Sequence, residues 1–204
     1  MKEKYLYVIL ASTPYRIGRI IRRFTGEKYN HVAVSLDESL TPMYGFARRY
    51  YRTPLYGGFV KESLSRYRVH GQVTDIKICR LPVTDEQYRR LRDLFAQMYA
   101  QKEHYLYNHF SVVTACFGRL APAKDAYICV EFGVHILQQI GIDVDPKKYY
   151  SVGAVEQLLK EYVVYTGPIP EGAYDDNYYA KKPVSHPFLT TVRDIFALIP
   201  RLGR

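Results

Sequence analysis

The sequence predicts a single α+β domain, on three observations. A chain of 204 residues suits one domain at roughly 100–200 residues each, and buries enough surface to fold without disulfides or a structural metal. Two apolar runs, His31 to Leu36 and Met43 to Arg48, flank the turn-forming Asp37 to Pro42 and read as a β-hairpin. Further along, apolar residues recur at helical spacing between recognisable start and stop signals.

From the N-terminus, the aromatic and β-branched run Tyr5 to Ala11 reads as a buried strand that stops at Ser12-Thr13-Pro14. Thr13 is suited to cap a helix, Pro14 to take its first position and Gly26 to close it. Ile17, Ile20, Ile21 and Phe24 form an apolar stripe on that helix, beside arginines. After the hairpin, residues 49–71 read as a loop rich in Tyr, Arg and Gly, with a short strand near Gly58 to Val60. Gln72 to Leu81 alternates as a strand and ends at Pro82.

Thr84-Asp-Glu-Gln87 is a capping box, and Leu91, Leu94, Phe95 and Met98 carry that helix to about Ala100. Three more helices are expected: one after Tyr107-Asn108, one from Cys129 to Ile140 stopped by Gly141, and one capped by Ser151 through Leu159. A strand follows at Tyr162 to Tyr165. The domain is expected to span residues 1–167, and residues 168–204 to form a C-terminal extension. There, proline-rich Gly167 to Pro187 reads as loop and Phe188 to Ile199 as a short amphipathic helix. Its face of Phe188, Leu189, Val192, Ile195, Phe196 and Ile199, beside Arg193, either docks on the domain or lies in a membrane interface.

Lys and Arg number 29 against 20 Asp and Glu, a net charge of +9 that favours anionic partners, including an anionic membrane surface. The 21 tyrosines are scattered without an RNA-binding signature, so nucleic acid is disfavoured. Three cysteines without a CxxC spacing offer no metal cage and read as reduced thiols, as in a cytosol. The apolar run at 5–11 is short for a secretory signal and lacks a small-residue cleavage pattern. No stretch approaches the ~20 apolar residues of a membrane span. The expected location is cytoplasmic, with a membrane-peripheral option.

Cys129 opens a helix, where the dipole and free amides favour a thiolate; the alternative is a buried cysteine packed as a small hydrophobe. Cys79, in an alternating strand, and Cys116, in an apolar helix, read as core. His31 begins a strand after a tight loop and is a candidate base; the alternative is a hydrogen-bonded strand-end histidine. His70, His104, His109 and His186 lie in polar or loop-like surroundings, and His135 shares the Cys129 helix but points elsewhere.

The order Tyr5-Leu-Tyr-Val-Ile-Leu10, the basic helix ending Phe24-Thr-Gly26, then Tyr29-Asn-His31-Val-Ala-Val and later Tyr127-Ile-Cys129-Val-Glu131-Phe resembles circularly permuted NlpC-type papain-like proteins. In that group the histidine strand precedes the cysteine helix, as here. The likeness continues through Met43-Tyr-Gly-Phe-Ala-Arg48, Gly58-Phe-Val-Lys-Glu62, Tyr107-Asn108 and Gln139-Ile-Gly-Ile142, and reaches Val164-Tyr-Thr-Gly167, covering about residues 5–167. The lecithin retinol acyltransferase-like proteins look like more distant relatives.

The resemblance implies a permuted papain-like fold, an antiparallel sheet carrying His31 packed against helices, with Cys129 at a helix N-terminus. It implies Cys129 as nucleophile, His31 as base and no metal or organic cofactor. The family orients its histidine with a polar side chain on the next strand, but this chain offers Met43, Tyr44, Gly45 and Phe46; the third group is Glu62, a backbone carbonyl or absent. Glu131, at the family's Cys-x-Glu position, reads as a structural hydrogen-bonding group, since it lies about 200° round the helix from Cys129. Tyr107 lines the cleft or packs in the core. The expected activity is a cysteine hydrolase of amidase or peptidase type, acting on an amide or ester through a thioester acyl-enzyme. The alternatives are an acyltransferase using the same pair and a non-catalytic domain binding lipid or another anionic partner.

Overall fold

In the computed structural model, the described residues are 3–50, 53, 55–68, 74–145, 147–172, 174 and 186–203. Within helices, the side chains at 16, 17, 20, 21, 24 and 187 lie outside that description, and with them the predicted stripe of Ile17, Ile20, Ile21 and Phe24. His70, Gln72 and most of 173–185 also fall outside it.

Among the described residues the fold is α+β: eight strands form one mostly antiparallel sheet. They are β1 (Lys4–Ala11), β2 (His31–Ser35), β3 (Met43–Arg48), β4 (Gly57–Glu62), β5 (Asp75–Val83), β6 (Leu106–Tyr107), β7 (Ala126–Tyr127) and β8 (Val163–Pro168), in the order β7-β6-β4-β3-β2-β1-β5-β8. Only β6 and β7 run parallel. The helices are α1 (Arg16–Thr25), α2 (Asp85–Ala100), α3 (His109–Ala115), α4 (Cys129–Gln139), α5 (Val152–Leu158) and α6 (Pro187–Leu198).

Strand β1 is apolar at consecutive positions because both of its faces are covered. Leu6, Val8 and Leu10 join the larger core, with Leu91, Phe95 and Met98 of α2 and Phe132, Ile136 and Leu137 of α4. Tyr7, Ile9 and Ala11 face a second core with Ala33, Met43, Tyr67 and Ile169. Helix α4 comes unusually close to β2: a Cβ on Gly133 would stand 2.8 Å from Val32 Cγ1. This glycine brings the start of α4, one turn earlier, down to the beginning of β2.

The hairpin forms as expected, β2 pairing antiparallel with β3. The capping box does too: Gln87 N donates to Thr84 Oγ1 at 3.1 Å and Thr84 N to Gln87 Oε1 at 2.8 Å. Gly26 closes α1 in the left-handed region, φ 70°.

Other expectations are corrected. Helix α1 starts at Arg16 with Tyr15 at its cap, because the Thr13 hydroxyl is taken by Asn30 Nδ2 at 2.7 Å. The strand near Gly58 is a full interior strand, Gly57–Glu62, inside what reads as loop. Strand β5 continues through Pro82, opposite Tyr5. Proline is tolerated there because β8 pairs with β5 only as far as Cys79, leaving one edge open. Cys116 is exposed, not core, because α3 is short and its end stands out beside exposed Val113 and Phe117.

Candidate active site

Cys129 is the first residue of α4, at the inner end of that close helix–strand contact, and only 9% of its surface is exposed. Ile128 before it is extended, so the chain turns sharply from β7 into the helix. Glu131 fixes the turn: its carboxylate accepts from Ile128 N at 2.7 Å and from Ser111 Oγ at 2.5 Å. Burial raises its pKa, an effect partly offset by bonds from Ser111, Ile128 and Asn108. Asn108 caps α3 and donates to Ala121 O at 2.9 Å, which braces the same corner.

His31, the first residue of β2 and buried, lines the same cleft as Cys129, which contributes to the raised pKa of its ring. Its Nε2 donates to Glu62 Oε1 at 3.0 Å. Glu62 sits on β4, two strands away from β2. Its carboxylate reaches His31 by passing over Gly45 of the intervening β3, where a Cβ would stand 2.7 Å from Glu62 Oε1. The glycine at the position where the resemblance leads one to expect a polar residue is therefore the gap through which a longer acid from the next strand reaches.

Glu62 Oε2 is held by Arg66 Nε at 3.0 Å and accepts from the Tyr67 hydroxyl at 3.3 Å. Tyr67 also meets the His31 ring edge-on, with centroids 5.8 Å apart. Burial alone would lower the His31 pKa, but the Glu62 charge and the bonds from Cys129 and Glu62 outweigh it and push His31 up to about 9. Burial would raise Glu62, yet the charges of His31 and Arg66 hold it below the ordinary carboxylate range.

These groups open onto a solvent-connected cleft with a cavity volume of about 90 Å³. Thr13, Tyr15, Asn30, Phe46, Arg48, Arg66 and Tyr107 line it together with His31 and Cys129. Tyr107 does both things expected of it, lining the cleft and packing against the core, where a Cβ on Gly57 would stand 2.9 Å from its ring. Burial, with the Cys129 and Glu131 charges, raises its pKa. Asn30 Oδ1 accepts from Thr13 N at 2.8 Å and Arg22 Nη1 at 2.7 Å, tying the cleft wall to α1.

The sequence-predicted residues Cys129, His31, Glu62 and Tyr107 thus meet at one place, with Glu131 behind them. Arg48, Arg66, Tyr67 and Asn30 were not singled out. Only Arg66 carried a signal, four residues after Glu62 on a tight turn, Leu64–Tyr67. Cys79 is buried in β5, away from the cleft, and burial pushes its thiol up to about 11. Among the described residues no cluster of His, Cys, Asp and Glu could hold a metal ion. Comparison of the chain with known protein families, characterised proteins and solved structures finds no match.

Proposed function

We propose that this protein is a papain-like cysteine hydrolase of the permuted type, forming and breaking a thioester on Cys129. The observation that carries the reading is the chain of contacts Cys129–His31–Glu62, with Glu62 buried and anchored by Arg66 at the rear of an open cleft. His31 takes the thiol proton and the sulfur attacks an amide or ester carbonyl. The backbone N–H of Cys129, in the first turn of α4 where amides lack helical acceptors, faces the developing oxyanion. The imidazolium returns its proton to the departing amine or alcohol, leaving a thioester. Water attacks that thioester, His31 taking its proton, and the acid and free thiol are released; an alcohol or amine in the place of water gives acyl transfer.

The test is incubation with an activated aryl ester, p-nitrophenyl acetate, followed by peptide mapping. Acetyl transiently on Cys129, and absent from the His31→Ala variant, supports the reading. Acetylation of exposed Cys116 with none on Cys129 overturns it.

Attachment to an anionic bilayer is a second reading with its own observation. Helix α6 sits on the domain through Thr191, Asp194 and Leu198 and turns Phe188, Leu189, Phe196 and Ile199 outward. Phe188 is 76% exposed, as is Phe117 just after α3. Leu198 shares a small core with Leu106, Ala123 and Phe110, so α6 packs near α3, which has its own exposed apolar residues, Val113 and, just beyond it, Phe117. Arg119, Lys124 and Arg193 are exposed, and Arg193 is paired with the buried Asp194, whose Oδ1 accepts from its Nε at 3.1 Å and its Nη2 at 2.9 Å. An exposed apolar helix face on a chain of net charge +9 fits an anionic lipid interface. Among the described residues no helix is long and apolar enough to cross a membrane.

A further inference from the structure

Glu62 and Arg66 are buried together, 3% and 4% exposed. Strand β4 ends at Glu62, and the tight turn Leu64–Tyr67 that follows doubles the chain back, Arg66 N donating to Ser63 O at 3.0 Å. The guanidinium four residues on therefore comes to lie against the acid at the strand end. Its Nε pairs with Glu62 Oε2 at 3.0 Å while its Nη2 donates to Arg48 O at 2.6 Å on the neighbouring β3, and the Arg66 carbonyl accepts from the Tyr15 hydroxyl at 2.5 Å. One planar fork thus grips two strands, which the compact ammonium of lysine cannot copy. The oxygens of Glu62 are divided: Oε1 takes His31, and Oε2 takes Arg66 and the Tyr67 hydroxyl. A buried carboxylate answered by an imidazolium alone would hold that proton too firmly to give it back to a leaving group. Sharing the carboxylate with a permanent cation loosens the hold.

We infer that Arg66 is a positioning residue for the reaction: it fixes Glu62 in its reach over Gly45 to His31 and takes up part of the acid's charge, so that the His31 proton stays transferable. The inference rests on the reading of Cys129 as nucleophile and adds a residue that acts through Glu62. Facing His31 and Cys129, besides Glu62 and Arg66, are Tyr67 from the turn and, from the other walls of the cleft, Tyr15, Arg48 and Tyr107, the last of which also feels the Glu131 charge. None of these differs between the native protein and an Arg66 variant, which isolates the effect of one guanidinium.

The experiment titrates the His31 ring by NMR and follows acetylation of Cys129 by p-nitrophenyl acetate against pH. In the native protein His31 should titrate at about pH 9, and acetylation should fall off as the imidazolium is lost. Arg66→Met removes a cation and leaves Glu62 wholly to His31, and both changes stabilise the imidazolium. The titration and the alkaline limb of acetylation should therefore rise together by about one pH unit, as for one charge lost several ångströms away at an effective dielectric of about 20–40. Arg66→Lys keeps the charge and gives up the grip on Arg48 O, so its titration should stay close to the native one while its Tm falls. Arg66→Gln, whose amide still bonds to Glu62, carries the same loss of charge if the methionine variant does not fold. If Cys129 is acetylated but neither the titration nor the limb moves in the neutral variants, the role of Arg66 is overturned and the nucleophile stands. An equal upward shift in Arg66→Lys overturns the sharing of charge. If Cys129 of the native protein is not acetylated, the nucleophile reading falls and takes this inference with it.

Discussion

Two regions of this molecule treat polarity in opposite ways. Around His31, charged groups are buried and each is answered: Glu62 meets His31, Arg66 and Tyr67, and a glycine clears the path between strands. On the α3 and α6 surface, a threonine and an aspartate point inward while phenylalanines point out. Burying an ion pair costs several kcal/mol of desolvation, and exposing phenylalanine forgoes the ~25 cal/mol per Å² that burial would return. Neither arrangement is the cheapest for a folded chain in water, and that difference teaches where to look for function: in the proposed reading the first region serves a reacting group and the second a surface outside the molecule.

The largest effect is expected from breaking the first region at its acid. Glu62→Ala leaves Arg66 buried without its carboxylate and should cost about 3–5 kcal/mol in urea unfolding. Gly45→Ala should cost about 1–3 kcal/mol, because its Cβ intrudes on Glu62 Oε1. Alkylation of Cys129 should slow with it. The two changes touch one contact, so the double variant should lose less than the sum; strict additivity would show that Glu62 does not reach over Gly45.

The pH dependence sharpens the same point. The folded-state pKa of His31 is about 9, above the ordinary histidine value of 6.5. Its contribution to stability is therefore complete below pH ~6.5 and drains away as the pH rises through about 9. Wild-type Tm should fall across that window more steeply than that of His31→Gln. A parallel decline in both proteins would remove the charged imidazole from the account.

The smallest effect on stability, and the largest contrast with the first region, is expected at the surface. Phe188→Ser with Phe196→Ser should shift stability by less than about 1 kcal/mol, both side chains being exposed. Co-sedimentation with vesicles containing anionic lipid should drop severalfold. Sedimentation velocity separates the alternative in which a second copy covers the patch: a concentration-dependent dimer lost in the variant, without vesicle binding, would contradict the bilayer reading.

The hairpin, the capping box at Thr84 and the Cys129 helix were legible in the sequence because each is set by local chemistry, turn residues and caps within a few positions. Glu62 could be named as a candidate, but its path over Gly45 depends on β4 lying beside β3, and β4 is hidden in a run of Gly, Tyr and Arg. Cys116 misled because an apolar short helix looks the same whether it packs or protrudes. The direction of α6 was left open for the same reason: periodicity shows that a face is apolar, not which way it turns. Arg48 lacked any local mark, since a strand-end arginine acquires meaning only from the cleft it borders.

The central claim is that Cys129 and His31 act as one unit, and brief labelling with limiting iodoacetamide followed by peptide mapping tests it most directly. Cys129, though buried, should be alkylated about tenfold or more faster than exposed Cys116, with Cys79 inert, and His31→Ala should remove most of that advantage in a folded protein. Labelling in the order of exposure, Cys116 ahead of Cys129, or an advantage at Cys129 untouched by loss of His31, would contradict it.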